Sequence, residues 1–288
     1  MPQRPFVRAI LMGAAAMIAV LLAFHLLRGG GAVPPPAGNT FNPAAFNAPA
    51  PKLDAPYVAS DMEVVDAMLG LAAVHPDDDV IDLGSGDGRI LIAAARSYGA
   101  HGFGVDIDPA RIAESNANAA AAHVTGLVRF RRQDLFQTPL GDAEVLTLYL
   151  LPEINLRLRP RILTQMRPGT RVVSHDFDMG DWHWDQRDRV GTATIYLWIV
   201  PAQVGGTWTL SANGRTWPMT ITQHYQTFLG TIGEGESAVR IEQGRLAGDH
   251  IRFIARLGEG RQVFEGQVNG HAIVPLRANA GWHADRAG

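Results

Sequence analysis

Apolar positions along this chain follow two rhythms, which change near residue 200. Between residues 57 and 200, short continuous apolar runs alternate with longer stretches in which apolar residues return every three or four positions. The first rhythm belongs to strands buried on both faces, the second to helices packed against them. Runs at 80–83, 102–107, 127–131, 143–150 and 171–175 predict five strands, and a run at 193–200 predicts one more that completes the sheet. A helix is predicted over 61–74, where Ser60 and Glu63 have capping-box spacing and Val64, Val65, Met68 and Leu69 form an apolar stripe. Further helices are predicted from Arg89, from Asp108-Pro109 (a cap followed by proline in the first turn) through Ala122, and from Pro152 to about Met166. Strand and helix in alternation predict an α/β domain, a parallel sheet with helices on both faces.

Beyond Pro201 no helical period survives. Short alternating runs punctuated by glycine (TWTLSA, RTWPMTITQ, YQTFLGTI, HIRFIARL, QVFEGQV) predict a small all-β domain built as a meander, sandwich or partial barrel. At the other end, residues 9–27 are apolar except for His25. As a helix they would span roughly 28 Å, close to the thickness of a bilayer's hydrocarbon core. An uncleaved single-pass anchor is favoured over a signal peptide cleaved near Gly30 and Ala32, because the apolar run is long for a signal peptide. Residues 29–56 hold three consecutive glycines and seven prolines with almost no charge, and read as a tether. The expected organisation is an anchor over 1–28, a linker over 29–56, an α/β domain over 57–201 and a β domain over 202–288. The expected location is a bacterial inner membrane. Arg4 and Arg8 before the span and Arg28 after it differ too little to decide which side the α/β domain faces.

Composition narrows the chemistry. Cysteine is absent, which excludes disulfides, thiol nucleophiles and thiolate metal sites. Net charge is −3, so no broad basic surface for nucleic acid is expected. Of 25 basic residues only Lys52 is a lysine, and an Arg-, Ala- and Gly-rich coding bias accounts for that.

The candidate ligand site is the stretch 80–90, VIDLGSGDGRI. A buried strand runs into Gly84, Gly86 and Gly88, and a helix follows. Glycines let backbone N–H groups approach a ligand, and the helix N-terminus adds partial positive charge. The spacing GxGxG, with Asp82 two residues ahead, is not the GxGxxG of a dinucleotide site. Asp106 follows Gly84 by 22 residues, ends the second strand, and has the two acceptor oxygens that a ribose diol requires. Asp134, after the third strand, can accept from an adenine amine. Asp82 can orient the turn or meet an ammonium group, directly or through water.

DLGSGDGRI resembles motif I of the class I S-adenosylmethionine (SAM) methyltransferases. Together with Tyr57-Val58, GVDIDP, the run LYLLPEINLRLRPRI at 148–162 and RVVSHDFDMGDW at 171–182, it resembles the family of the ATP synthase c-subunit lysine N-methyltransferase and its bacterial relatives. The resemblance covers roughly residues 56–200. It implies a Rossmann-like class I methyltransferase sheet and SAM as methyl donor, with Tyr57, Asp82, Gly84, Ser85, Gly86, Gly88, Asp106 and Asp134 around it. For characterised members it also implies a protein lysine as acceptor, and the predicted anchor points to one on a membrane-associated protein. A small-molecule acceptor, and a non-enzymatic binding protein on a degenerate methyltransferase scaffold, remain open as alternatives.

Transfer to an amine requires alignment opposite the sulfonium and removal of a proton, since an ammonium group has no lone pair. The segments after the fourth and fifth strands face this point, with Tyr149, Pro152, Glu153, His175, Asp176 and Asp178. Glu153 is the leading candidate for contact with the incoming amine, followed by His175 and Asp176; as alternatives, Glu153 serves the helix dipole and His175 is a satisfied sheet-end histidine. A metal held by His175 and Asp176 is not expected, because adjacent strand residues point to opposite faces.

Overall fold

The computed structural model describes residues 57–258, 260–278 and 280–287. The predicted membrane anchor and the linker lie outside the described residues. Among the described residues no helix is long and apolar enough to cross a membrane.

Among the described residues, four helices and a seven-stranded sheet precede the barrel. Helix α1 is Met62–Leu71, α2 Arg89–Tyr98, α3 Pro109–Ala121 and α4 Pro152–Gln165. The strands are β1 (Asp79–Leu83), β2 (His101–Asp106), β3 (Val128–Arg132), β4 (Val145–Leu148), β5 (Arg171–His175), β6 (Gln186–Val190) and β7 (Ala193–Ile199). Their spatial order is β3-β2-β1-β4-β5-β7-β6; β1 to β5 are parallel, and β7 runs antiparallel between β5 and β6. The chain steps outward from β1 to β3 and then returns to place β4 on the other side of β1. That reversal opens a crevice beyond the carboxyl ends of β1 and β4.

Alternation within each strand feeds two cores. Val80, Val145, Val173 and Ile195 face α1 and α2, while Ile81, Leu146, Leu148, Val172 and Trp198 face α4. The predicted capping box does not form. Asp61 is the N-cap of α1, with no side-chain bond to the helix, and Ser60 is committed elsewhere. No sequence pattern predicts strand β6, because QRDRV is an exposed edge strand with no apolar alternation to mark it.

The second half is a closed barrel. Its strands are β8 (Gly206–Ala212), β9 (Arg215–His224), β10 (Thr227–Ile232), β11 (Val239–Arg240), β12 (Glu242–Ala247), β13 (His250–Leu257), β14 (Gly260–Asn269), β15 (Ala272–Pro275) and β16 (Trp282–Arg286). All but the short β11 form an eight-stranded antiparallel ring that closes through β16–β8 and β9–β10. The interior is packed rather than hollow. Phe253 stacks on Phe264 with centroids 4.7 Å apart, and Trp208, Phe228 and Trp282 fill the rest.

The barrel packs directly on the α/β half. A Cβ on Gly248 would stand 3.0 Å from the Gly169 backbone, and both glycines have positive φ, where a side chain is strained.

Candidate functional site

The crevice at the strand reversal is a cavity open to solvent, with about 970 Å³ of empty space counting the solvent at its mouth. Its floor is the loop after β1. Gly84 and Gly86 adopt φ of +81° and +52°, so the chain curls with its backbone toward the crevice. A Cβ on Gly86 would collide with the Tyr57 ring, which lies directly over the loop. Arg111 from α3 stands 4.6 Å from the centroid of that ring.

Asp106 ties the loop to β2. Its Oδ2 accepts from Gly86 N at 3.0 Å and its Oδ1 from Asp108 N at 2.9 Å, leaving a lone pair on each oxygen. Asp82 is 2% exposed and accepts from Thr147 Oγ1 at 2.7 Å. Burial pushes its carboxyl up to about 7, against the Thr147 bond and with the charges of Asp106 and Asp87 adding to the rise. Ser85 is 6% exposed, lines the cavity, and its Oγ has no partner among the described residues. A buried hydroxyl without a bond is costly unless a ligand or water satisfies it.

Two residues that sequence reasoning does not single out stiffen this floor. Arg89 Nε donates to both oxygens of Asp87 at 3.0 Å, and Arg89 Nη1 donates to Ser60 O at 2.7 Å. Burial raises the Asp87 carboxyl, but the Arg89 bonds and charge outweigh it and hold the group below its ordinary range. The segment 57–60 is thereby strapped across the cavity, and all four of its residues line the wall.

Of the residues expected around a donor, Tyr57, Asp82, Gly84, Ser85, Gly86, Asp106 and Asp134 line this one cavity. Asp134 does so while capping a short turn, accepting from Phe136 N at 2.8 Å and Gln137 Nε2 at 3.2 Å. Gly88 is the exception. It begins α2 facing away from the cavity, where a Cβ would stand 2.6 Å from Phe130 and 2.9 Å from Ser115. It is glycine because helix and sheet close on it.

The acceptor candidates divide as well. Tyr149 lines the cavity and stacks on His175 with centroids 3.8 Å apart. Burial raises the Tyr149 phenol, and the charges of Asp176 and Asp61 raise it further. His175 is 5% exposed; its Nδ1 lies 2.8 Å from Ser60 Oγ and its Nε2 lies 3.5 Å from Asp176 Oδ2. Burial lowers the His175 imidazole, and Asp176 and Asp61 oppose that fall.

The expectation that His175 and Asp176 diverge is corrected. Asp176 has φ of +61°, which ends the strand pleat and turns its carboxylate toward the imidazole. Reciprocal bonds with Thr194 hold this turn: Asp176 N donates to Thr194 O at 2.7 Å, and Thr194 N donates to Asp176 Oδ1 at 2.8 Å. Glu153, the leading candidate from sequence, is exposed in the first turn of α4 and does not line the cavity. Asp178 accepts from Gly180 N at 3.0 Å in the same post-β5 loop.

Comparison with known proteins gives this arrangement its setting. The model of the ANTKMT methyltransferase domain matches residues 82–186. A protein-lysine N-methyltransferase of Saccharolobus islandicus (strain REY15A) is 38% identical over 150 residues, which are 50% of this chain and 93% of that protein. The adenine nucleotide translocase lysine N-methyltransferase of Mus musculus is 30% identical over 155 residues, and the match spans 66% of its length. The ATP synthase c-subunit lysine N-methyltransferase of Mus musculus is 27% identical over 154 residues, and 62% of its length is spanned.

Among solved structures, an RNA methyltransferase from Salinibacter ruber, crystallised with S-adenosyl-L-homocysteine, is 49% identical with a TM-score of 0.50. That similarity covers 51% of this chain and 96% of that one. The barrel lies beyond the residues that the family model matches. The glycine floor, the unpartnered Ser85 hydroxyl and the carboxylate of Asp106 fit SAM, whose adenosyl and amino-acid groups require donors and acceptors of these kinds. The α/β half is the methyltransferase sheet expected from sequence, and the chain belongs to the class I SAM-dependent methyltransferases, in the family of the protein-lysine N-methyltransferases.

Proposed function

We propose that this methyltransferase, held at a membrane by its N-terminal apolar segment, methylates the ε-amine of a lysine in a membrane-associated protein. SAM, when bound, supplies an electrophilic methyl on a sulfonium. Asp106 is assigned to the ribose hydroxyls through the lone pairs left on its two oxygens, and Asp134 to the adenine amine. The backbone of Gly84 to Gly86 and the Ser85 hydroxyl support the amino-acid portion, with Asp82 near its ammonium. Tyr57 closes the cavity from above.

The observation that carries the amine reading is the charge around Tyr149 and His175. Asp61 and Asp176 both impose negative potential there. Such surroundings attract a cationic side chain and repel a phosphodiester, which argues against an RNA acceptor at this site. A lysine entering this end loses hydration, which lowers its ammonium pKa and eases loss of the proton. Anchoring the enzyme in the bilayer that holds its substrate would raise their effective concentration.

Two measurements test this reading. Calorimetry on the purified full chain is expected to detect SAM binding that Asp106→Ala abolishes; unchanged affinity in the variant would remove the ribose assignment. Mass spectrometry of membrane proteins from a strain deleted for this chain is expected to show a lysine that has lost its methyl groups. Intact methylation throughout that fraction would overturn the substrate class.

A further inference from the structure

Ser60 and His175 are 115 residues apart in sequence and share a buried hydrogen bond, 2.8 Å long, at the wall of the methyl-transfer cavity. The partners of the ring fix its tautomer. The Asp176 carboxylate, 3.5 Å from His175 Nε2, favours the tautomer with the hydrogen on that nitrogen. Nδ1 is then the acceptor, and the Ser60 hydroxyl donates to it. This leaves the lone pairs of Ser60 Oγ without a donor among the described residues, on a residue that itself lines the cavity.

We infer that Ser60 is a catalytic residue of the transfer, relaying the proton of the incoming ammonium to His175. This inference rests on the amine acceptor proposed above. In the relay one N–H bond of the ammonium breaks and an O–H bond forms on Ser60. The original Ser60 proton passes to His175 Nδ1, and the acceptor is left as a neutral amine with its lone pair. The imidazolium then gives up its Nε2 proton to Asp176, whose side chain is 37% exposed and delivers it to solvent. Deprotonated at Nε2, the ring returns to its starting tautomer by exchange with water at the cavity mouth.

The surroundings suit a relay better than a reservoir. The groups facing His175 are Asp176 at the end of its own strand, Asp61 at the start of α1, and Tyr149 after β4. Arg89 of α2, which holds the strap, spends its guanidinium on Asp87 and on the Ser60 carbonyl. Burial keeps the imidazole neutral and able to accept, while the two carboxylates favour its transient charge. The stacked Tyr149 ring holds the imidazole plane in place.

A merely structural Ser60–His175 tie would instead hold the 57–60 strap over the cavity, and the two roles separate by pH. The full chain is assayed with labelled SAM and poly-L-lysine from pH 6 to 10, for wild type, Ser60→Ala, Ser60→Thr, His175→Gln and the Ser60→Ala/His175→Gln pair. A relay predicts that Ser60→Ala lowers kcat by about a hundredfold at neutral pH, within the range of general acid–base effects. The deficit should shrink toward pH 10, where solvent deprotonates the amine unaided. Ser60→Thr should restore kcat to within about fivefold, and the double variant should be no slower than either single, as for residues acting as one unit.

A loss that is equal at every pH, a SAM affinity weakened more than threefold in Ser60→Ala, or additive single effects would each overturn the relay in favour of the structural tie. A wild-type chain that binds SAM but methylates no amine at any pH would overturn the amine reading itself, a result distinct from a wild type that turns over while Ser60→Ala keeps its pH profile.

Discussion

Asp82 is the residue at which ligand binding and protonation meet. Its carboxyl is buried, accepts from Thr147, and sits near pH 7 instead of the ordinary 3.8. A ligand that places positive charge beside it favours the ionised form, so binding displaces a proton when the pH is below about 7. SAM affinity is therefore expected to rise between about pH 6 and pH 8, with protons released on binding. Calorimetry in buffers of different ionisation enthalpy measures this directly. Asp82→Asn should flatten the dependence, which separates Asp82 from the titrating amine of SAM itself. Thr147→Val should move its midpoint upward, because the lost hydrogen bond favours the charged carboxylate. The same shift fixes a sign for stability. The folded chain keeps on Asp82 a proton that the unfolded chain releases near pH 4. This contribution is therefore full below pH 4 and is lost as pH rises through about 7. An apo chain whose Asp82→Asn variant shows the same stability profile as wild type between pH 4 and 8 would refute the buried-acid assignment.

At the scale of elements, the turn between β9 and β10 ties the barrel to the loop after β5 of the methyltransferase half. Tyr225 takes φ of +53° there, and its ring stacks near Trp182. Gln226 Oε1 accepts from the buried indole N–H of Trp182 at 2.9 Å, and Gln226 Nε2 donates to Asp185 Oδ2 at 2.8 Å. Tyr225 Oη donates to Asp181 at 3.2 Å. The loop after β5, which begins at Asp176, is thus pinned from the barrel side. Gln226→Ala strands the Trp182 N–H in a fully buried site, a loss of roughly 1–3 kcal/mol. Denaturant unfolding is expected to show that loss, and amide exchange in residues 179–185 should quicken while the barrel strands keep their protection. Equal protection of that loop in the variant would argue against the clamp. None of these contacts is legible in the sequence, because each joins segments about 40 residues apart and no local pattern marks them. What is legible has a local cause. Buried strands β1, β4 and β5 declare themselves by apolar runs, and the Asp106 carboxylate by its distance from Gly84. Gly88 misleads because a packing glycine and a ligand-facing glycine look alike in GxGxG. Ser60 reads as a helix cap because its true partner, His175, lies across the fold.

For the whole molecule, closure decides what the second half can be. A meander would leave two open edges, whereas pairing of β9 with β10 and of β16 with β8 leaves the eight-stranded ring with none. Aromatic side chains fill its interior, and one of its turns is spent on the post-β5 loop. The methyltransferase half must meet a soluble, charged cofactor that is made in the cytosol and does not diffuse through a bilayer. An anchored chain can work only if its cavity opens to that compartment. The few arginines flanking residues 9–27 constrain orientation weakly. The full chain is expected to sediment with membranes and to resist carbonate extraction. A C-terminal reporter that functions only in the cytoplasm should be active, and one that functions only outside should be silent. The opposite pair of results would separate this cavity from its methyl donor, and the proposed lysine methylation at the membrane would have to be abandoned.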